Sequence, residues 1–152
     1  MEAFEIERKF LVKKLPEDLE KYECRQLEQG YLCTEPVARI RRSDDTYTLT
    51  YKGKGLLVRE EYNLPLTKEA YEHLKPKADG ILITKKRYKI PYQSYMIELD
   101  IFEGELASLQ LAEVEFPTKE EAEAFEAPEW FGEDVTFSGQ YQNSSLSKRK
   151  KK

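Results

Sequence analysis

The chain has 152 residues, 36% of them charged, with 25 Lys and Arg against 29 Asp and Glu for a formal net charge of −4. That length predicts a single domain over 1–152 with a core of its own. Charge of both signs without a basic excess speaks against a nucleic-acid binder, the 12% aromatic content against disorder, and the lack of any apolar run near roughly 18 residues against a membrane span. Cys24 and Cys33 could pair across neighbouring strands. With no secretory leader pattern ahead of the fold, they read as reduced thiols of a cytoplasmic protein. The single histidine, His73, falls on a predicted helix, which leaves no His-based zinc site or Ser-His-Asp site.

Along the chain, residues 3–12 predict a first strand. Pro16 stands at a predicted helix start, and 16–20 makes at most a short turn of helix. Strands follow at 24–33 and, after the Thr34-Glu35-Pro36 break, at 37–43. Ser43-Asp44-Asp45 is turn chemistry, so 37–43 and 46–53 form a hairpin. Gly53-Lys54-Gly55 reverses the chain into a strand at 56–64 that Pro65 ends. Thr67 caps a helix through Lys75 with Ala70, Tyr71 and Leu74 as its apolar stripe. Asp79-Gly80 opens a strand at 81–90, Pro91 breaks it, and 94–103 is the second hairpin arm. Residues 109–116 form the last predicted strand. Thr118 to Glu121 is a capping box, and its helix ends before Pro128. Trp130–Phe137 is mixed and takes no assignment, 144–152 reads as a basic terminal helix, and Lys148–Lys152 reads as a solvated charge run. The fold class is therefore mainly β (α+β): about eight antiparallel strands closed or nearly closed into a barrel with a few peripheral helices.

Charges recur at period two along these strands: Glu5, Glu7 and Lys9; Arg39 and Arg41; Arg59 and Glu61; Lys85 and Arg87; Glu98 and Asp100; Glu113 and Glu115. Alternate positions are largely apolar, among them Ile6, Ile40, Leu99, Ile101, Val114 and Phe116. A strand sends alternate side chains to opposite faces, so this pattern predicts apolar residues outside under helices and charges inside, in a tunnel. Enclosed charges must be paired, metal-bound or substrate-bound. Lys9, Arg39, Arg41, Lys52, Arg59, Lys85 and Arg87 exceed what one carboxylate ligand needs and suit a chain of phosphates. Carboxylates gathered without His or Cys suit Mg²⁺ or Mn²⁺, an arrangement that phosphoryl transfer uses. Lys54 reads as a turn residue, Arg8, Arg42 and Glu60 face outward by parity, and Glu98 reads as a strut for an arginine.

These paired charges, opening on Glu5-x-Glu7-x-Lys9 and including Gln29-Gly30-Tyr31-Leu32, resemble the CYTH proteins, or triphosphate tunnel metalloenzymes, in order from about residue 3 to residue 116. The resemblance implies an eight-stranded tunnel that binds a triphosphate and a divalent metal, Mg²⁺ or Mn²⁺. It implies Glu5, Glu7 and Glu115 as metal ligands, with Glu113 joining them and Asp100 in support. It implies Lys9, Arg39, Arg41, Lys52, Arg59, Lys85 and Arg87 as phosphate contacts, and Tyr31 as a proton acceptor in small bacterial members. Lys9, Tyr31, Glu61 and Asp100 then stand nearest the chemistry. An unperturbed phenol titrates near 10, so Tyr31 equally reads as a packing residue with a tethered hydroxyl.

The expected activity is hydrolysis of inorganic triphosphate to pyrophosphate and phosphate, because no stretch is evident that would build a pocket for a base or thiazolium. Class IV adenylyl cyclase and thiamine triphosphatase are the enzymatic alternatives. A polyphosphate- or nucleotide-binding module is the non-enzymatic one, disfavoured because both acid pairs are intact. A lipocalin-like barrel would require apolar residues at Glu5, Arg39, Lys85 and Glu113. The expected partner is a small-molecule triphosphate, with no nucleic acid and no membrane, and both monomer and homodimer stay open.

Overall fold

The computed structural model describes residues 4–147, and of Asn143 and Ser144 the backbone alone. Its strands are β1 (Phe4–Val12), β2 (Glu23–Thr34), β3 (Val37–Ser43), β4 (Thr46–Lys52), β5 (Val58–Leu66), β6 (Asp79–Tyr92), β7 (Tyr95–Phe102), β8 (Gln110–Glu115) and β9 (Phe131–Asp134). The helices are α1 (Lys68–Leu74), α2 (Lys119–Ala124) and the short α3 (Asn143–Leu146). The sheet runs β5-β4-β3-β2-β6-β7-β8-β1, and an antiparallel β5–β1 pairing closes it. Eight strands thus form the predicted barrel, and β9 is an extra strand laid on β1.

β1 is the closing strand, and its free edge is divided. Phe4, Glu5 and Ile6 pair with Glu60, Arg59 and Val58 of β5. Phe10 and Val12 pair with Asp134 and Phe131 of β9. Between these stretches, the amide of Glu7 donates to the Leu57 carbonyl at 3.1 Å. The amide of Lys9 donates to Thr136 Oγ1 at 3.0 Å. Trp130–Phe137, left unassigned by pattern, is therefore what completes the backbone hydrogen bonding of β1.

Both expected helix caps form. Thr67 Oγ1 accepts from the Ala70 amide at 3.0 Å and Thr118 Oγ1 from the Glu121 amide at 3.1 Å, each meeting a donor that the first turn leaves unpaired. Three expectations fail locally. Pro16 opens no helix: the turn is 3₁₀, Leu19–Lys21, and follows Asp18 at φ 57, a left-handed position that a short acid tolerates. Pro65 does not end β5 but pairs with Thr48 inside it. Pro91 likewise lies inside β6, opposite Met96. Among the described residues, the pairing of β5 with β1 extends no further along β5 than Glu60, and that of β6 with β2 no further along β6 than Lys89, so each proline sits where an edge needs no amide. Ala3 and the Lys148–Lys152 run lie outside the described residues, as does most of the predicted terminal helix.

The outer face is packed as the alternation requires. Phe10, Ile97, Leu99, Val114 and Phe116 bury against Ala122 of α2 and Phe131 of β9. The interior has two zones, where the pattern suggested charge throughout. Val37, Ile83, Phe102 and Leu111 share inward parity with Arg39, Lys85, Asp100 and Glu113, and they pack with Tyr31, Val135 and Leu146 into an apolar plug. Charged residues, with Ser43, Thr48, Thr50 and Asn63 among them, line the rest of the lumen. Cys24 and Cys33 are free. Both lie on β2, about 30 Å apart along an extended strand, which is far beyond disulfide reach. No helix among the described residues is long and apolar enough to cross a membrane.

Candidate active site

Inward alternation brings β1, β3, β4, β5, β6, β7 and β8 to one cavity of about 200 Å³. Its basic lining is Arg39, Arg41, Lys52 and Arg87. Its acidic lining is Glu5, Glu7, Glu61, Glu98, Glu113 and Glu115, with Asn63 the one neutral member. A narrow deeper recess continues past Glu7 and Glu113 to Lys9, Tyr31, Arg59 and Gln142. Toward the opposite side the lumen opens into a cup of about 450 Å³ that adds Arg25, Ser43, Thr48 and Lys89.

The cations divide by their partners. Lys52 Nζ lies 2.9 Å from Glu5 and 3.7 Å from Glu61. Arg87 holds Asp100 with two hydrogen bonds of 2.7 and 2.8 Å, Glu113 at 3.1 Å and Glu98 at 3.2 Å. Lys85 Nζ is 2.7 Å from Asp100. Lys9 donates to the Tyr141 carbonyl at 3.0 Å and lies 3.8 Å from Glu113. Among the described residues, Arg39, Arg41 and Arg59 have no carboxylate within ion-pair distance. Arg39 donates to Thr50 Oγ1 at 3.3 Å and Arg41 to Gln29 Oε1 at 2.7 Å, while the buried Nε atoms of Arg39 and Arg59 have no partner. Unpaired donors on buried cations are costly unless an anion arrives.

Of the residues singled out from sequence, Lys85 and Asp100 line none of these cavities. They are buried behind Arg87, Lys85 at 0% and Asp100 at 1% exposure. Burial opposes the charge of Arg87, but Asp100 and Glu98 raise its pKa well above the usual value. Burial works against Asp100 too, and Arg87 and Lys85 still hold it low. This triad is a brace for Arg87. Tyr31 packs in the apolar plug and also lines the deep recess with Lys9. Arg8 faces outward to Asp134 at 2.7 Å, and Glu60 accepts from Tyr62.

Among the described residues, the lumen acids with no cation within ion-pair distance are Glu7 and Glu115. Burial, then Glu113 and Glu5, raise Glu7 well above the carboxylate range. Glu115 is open to the lumen, yet the surrounding walls and then Glu5, Glu61 and Glu98 raise it to about 7. The donor set is all oxygen and fits Mg²⁺ or Mn²⁺ by chemistry. It is not preassembled: among the described residues no three acids stand together as a ready metal site, because Glu5 and Glu113 are turned to Lys52 and Arg87.

Pattern reading missed Thr50, Asn63, Arg25 and Lys89, and it quoted Gln29 in the family-like stretch without giving it a place in the lumen. Each has inward parity on a strand already identified, so the signal was present in neutral residues as well as charged ones. Tyr141 and Gln142 carried no such signal, since they reach the recess by the path of the chain after β9.

An eight-stranded antiparallel barrel with cations and acids of its own inside defines the class of charged-tunnel barrels. The CYTH domain matches residues 3–151, and the chain belongs to the CYTH family. It is 40% identical over 148 residues to an inorganic triphosphatase of Nitrosomonas europaea, covering 94% of this chain and 96% of that one. It is 34% identical over 154 residues to an inorganic triphosphatase of Acetivibrio thermocellus, covering 95% and 93%. The crystal structure of the inorganic triphosphatase NE1496 superposes with a TM-score of 0.72 at 36% identity, covering 95% of each chain.

Proposed function

We propose that this chain is a divalent-metal-dependent triphosphatase that hydrolyses tripolyphosphate to pyrophosphate and phosphate. The observation that carries the reading is the set of three guanidinium groups, Arg39, Arg41 and Arg59, that lack carboxylate partners among the described residues and surround one lumen with Glu7 and Glu115. Those donors would meet phosphate oxygens, and those acids would hold a divalent cation. The inorganic substrate is favoured because the cavity and the cup have no aromatic lining, so a base or thiazolium finds no stacking platform there. The names of the two relatives point the same way.

In this reading Arg39, Arg41, Arg59 and Lys52 grip the phosphates, with Arg87 held in place by the Asp100 and Lys85 brace. Glu5, Glu7, Glu113 and Glu115 would hold a divalent ion, which would supply charge neutralisation of the phosphate oxygens. A water attacks the terminal phosphorus in line with the bridging P–O bond, which breaks and leaves its electron pair on pyrophosphate. The proton of that water passes to a lumen base, for which the Glu61 carboxylate and the Tyr31 oxygen in its ionised form are the candidates. Lys9, at the recess, stabilises charge on the phosphate being cleaved. The free, widely separated cysteines suit a reducing cytoplasm, and neither nucleic acid nor membrane is a partner in this reading.

Phosphate and pyrophosphate release from tripolyphosphate, ATP and thiamine triphosphate, compared with Mg²⁺ or Mn²⁺, tests the proposal. Rapid phosphate release from tripolyphosphate alone supports it. Cyclic AMP with pyrophosphate from ATP, or tight binding without turnover, overturns it.

A further inference from the structure

Gln29 sits on β2 between Leu27 and Tyr31, facing the lumen, with none of its surface exposed. Its Oε1 accepts from Arg41 Nε at 2.7 Å, which fixes the amide orientation, since a guanidinium can only donate. The amide nitrogen is thereby turned to the Tyr31 hydroxyl, 3.5 Å away. Three other cations are treated differently. Lys52, Lys85 and Arg87 are each held by carboxylates at 2.7–2.9 Å. A carboxylate orients a cation and cancels its charge together. An amide oxygen orients it and leaves the charge in place.

Arg41 needs orienting without neutralisation more than its neighbours do. It stands beside Arg39 and Arg87, and burial together with those two cations weakens its hold on the proton, to about 9. Its bond to Gln29 uses Nε alone, so among the described residues both terminal amino groups are left for the cavity that Arg41 lines. We propose that Gln29 is a positioning residue that aims the Arg41 guanidinium at a phosphate while preserving its full charge, and that the neutrality of its side chain is the essential property. The inference rests on reading Arg41 as a phosphate contact. The same amide, by donating to Tyr31, leaves the phenol proton to point elsewhere in the recess.

Gln29→Glu separates this role from plain packing, because it keeps the shape and an oxygen on Arg41 but adds charge. A charge-assisted hydrogen bond contributes about 1.5–3 kcal/mol, so neutralising Arg41 should raise KM for tripolyphosphate ~10–100-fold, with kcat changed much less and the thermal midpoint retained. A folded Gln29→Glu protein with KM within about twofold of the parent, beside an Arg41→Ala protein whose KM rises, overturns the role of Gln29 and leaves Arg41 as a contact. An unchanged KM in Arg41→Ala overturns the phosphate role of Arg41, and this inference with it. Should Gln29→Glu not fold, Gln29→Met removes the acceptor at similar volume. Its KM effect should vanish in the Arg41→Ala background, and an additive effect there contradicts the proposal.

Discussion

Folding makes Glu7 and Glu115 harder to ionise. Burial, then Glu113 and Glu5, raise Glu7, and Glu115 stands near 7 against an ordinary value of 4.5. A carboxyl raised by folding gives stability that is full below its unfolded value and lost as pH climbs through the folded one. The metal-free protein should therefore melt at a lower temperature at about pH 8 than at about pH 5.5. Glu7→Gln and Glu115→Gln should each melt higher than the parent at the upper pH, with the gap closing at the lower. Variants that melt lower than the parent at about pH 8 would show that these acids are stabilised by pairing instead. Asp100 has the opposite sign: its folded value is depressed, so its contribution is present above its unfolded value and lost as pH falls through the folded one. Asp100→Asn leaves Lys85 and Arg87 buried without their shared anion, and the expected loss is about 3–5 kcal/mol in denaturant titration. A loss below about 1 kcal/mol would mean that the triad relaxes toward water.

Period-two alternation made the strands of the lumen legible, because parity follows from strand geometry alone. Arg39 and Arg41 on β3 and Glu113 and Glu115 on β8 could be assigned inward without knowing their neighbours. What alternation does not carry is depth along the barrel. Ile83, Phe102 and Leu111 have the same parity as the charges, and only the register of β6, β7 and β8 shows that they form a plug. Nor does it carry pairings made by short, mixed segments. β9 reads as Phe-Gly-Glu-Asp, with no alternation to see, and it exists because β1 has an edge to fill. Partner identity is equally hidden: nothing in Asp100 itself says that it faces Lys85 and Arg87 while Glu98 faces the lumen. Gly30 marks another contact set by assembly, since a Cβ there would lie 2.8 Å from both Ala78 Cβ and Leu82 Cδ2. Gly30→Ala should cost about 1–3 kcal/mol by overpacking, read as a lowered denaturation midpoint, and a neutral result would show that β6 can shift away.

At the scale of the whole molecule, the barrel joins an insulated, apolar end to a charged end whose cations and acids remain partly unmatched. The family match and the two triphosphatase relatives agree with that division, as does the lack of aromatic lining in the cavity. The narrow β5–β1 pairing has a mechanical consequence. Circumference is set at the weakest join, and here that join is Phe4–Ile6 against Val58–Glu60, whereas β6 and β7 are paired from Lys85 to Tyr92. Lys52 to Glu5 already crosses the join as a single ionic stitch. A polyphosphate gripped by Arg59 on β5 and Lys9 on β1 would act as a rivet through it. Amide hydrogen exchange in 4–7 and 58–60 should slow when tripolyphosphate binds, far more than in β6 and β7. The ligand then sets the bore of the vessel that holds it, and an empty barrel is free to breathe along one line.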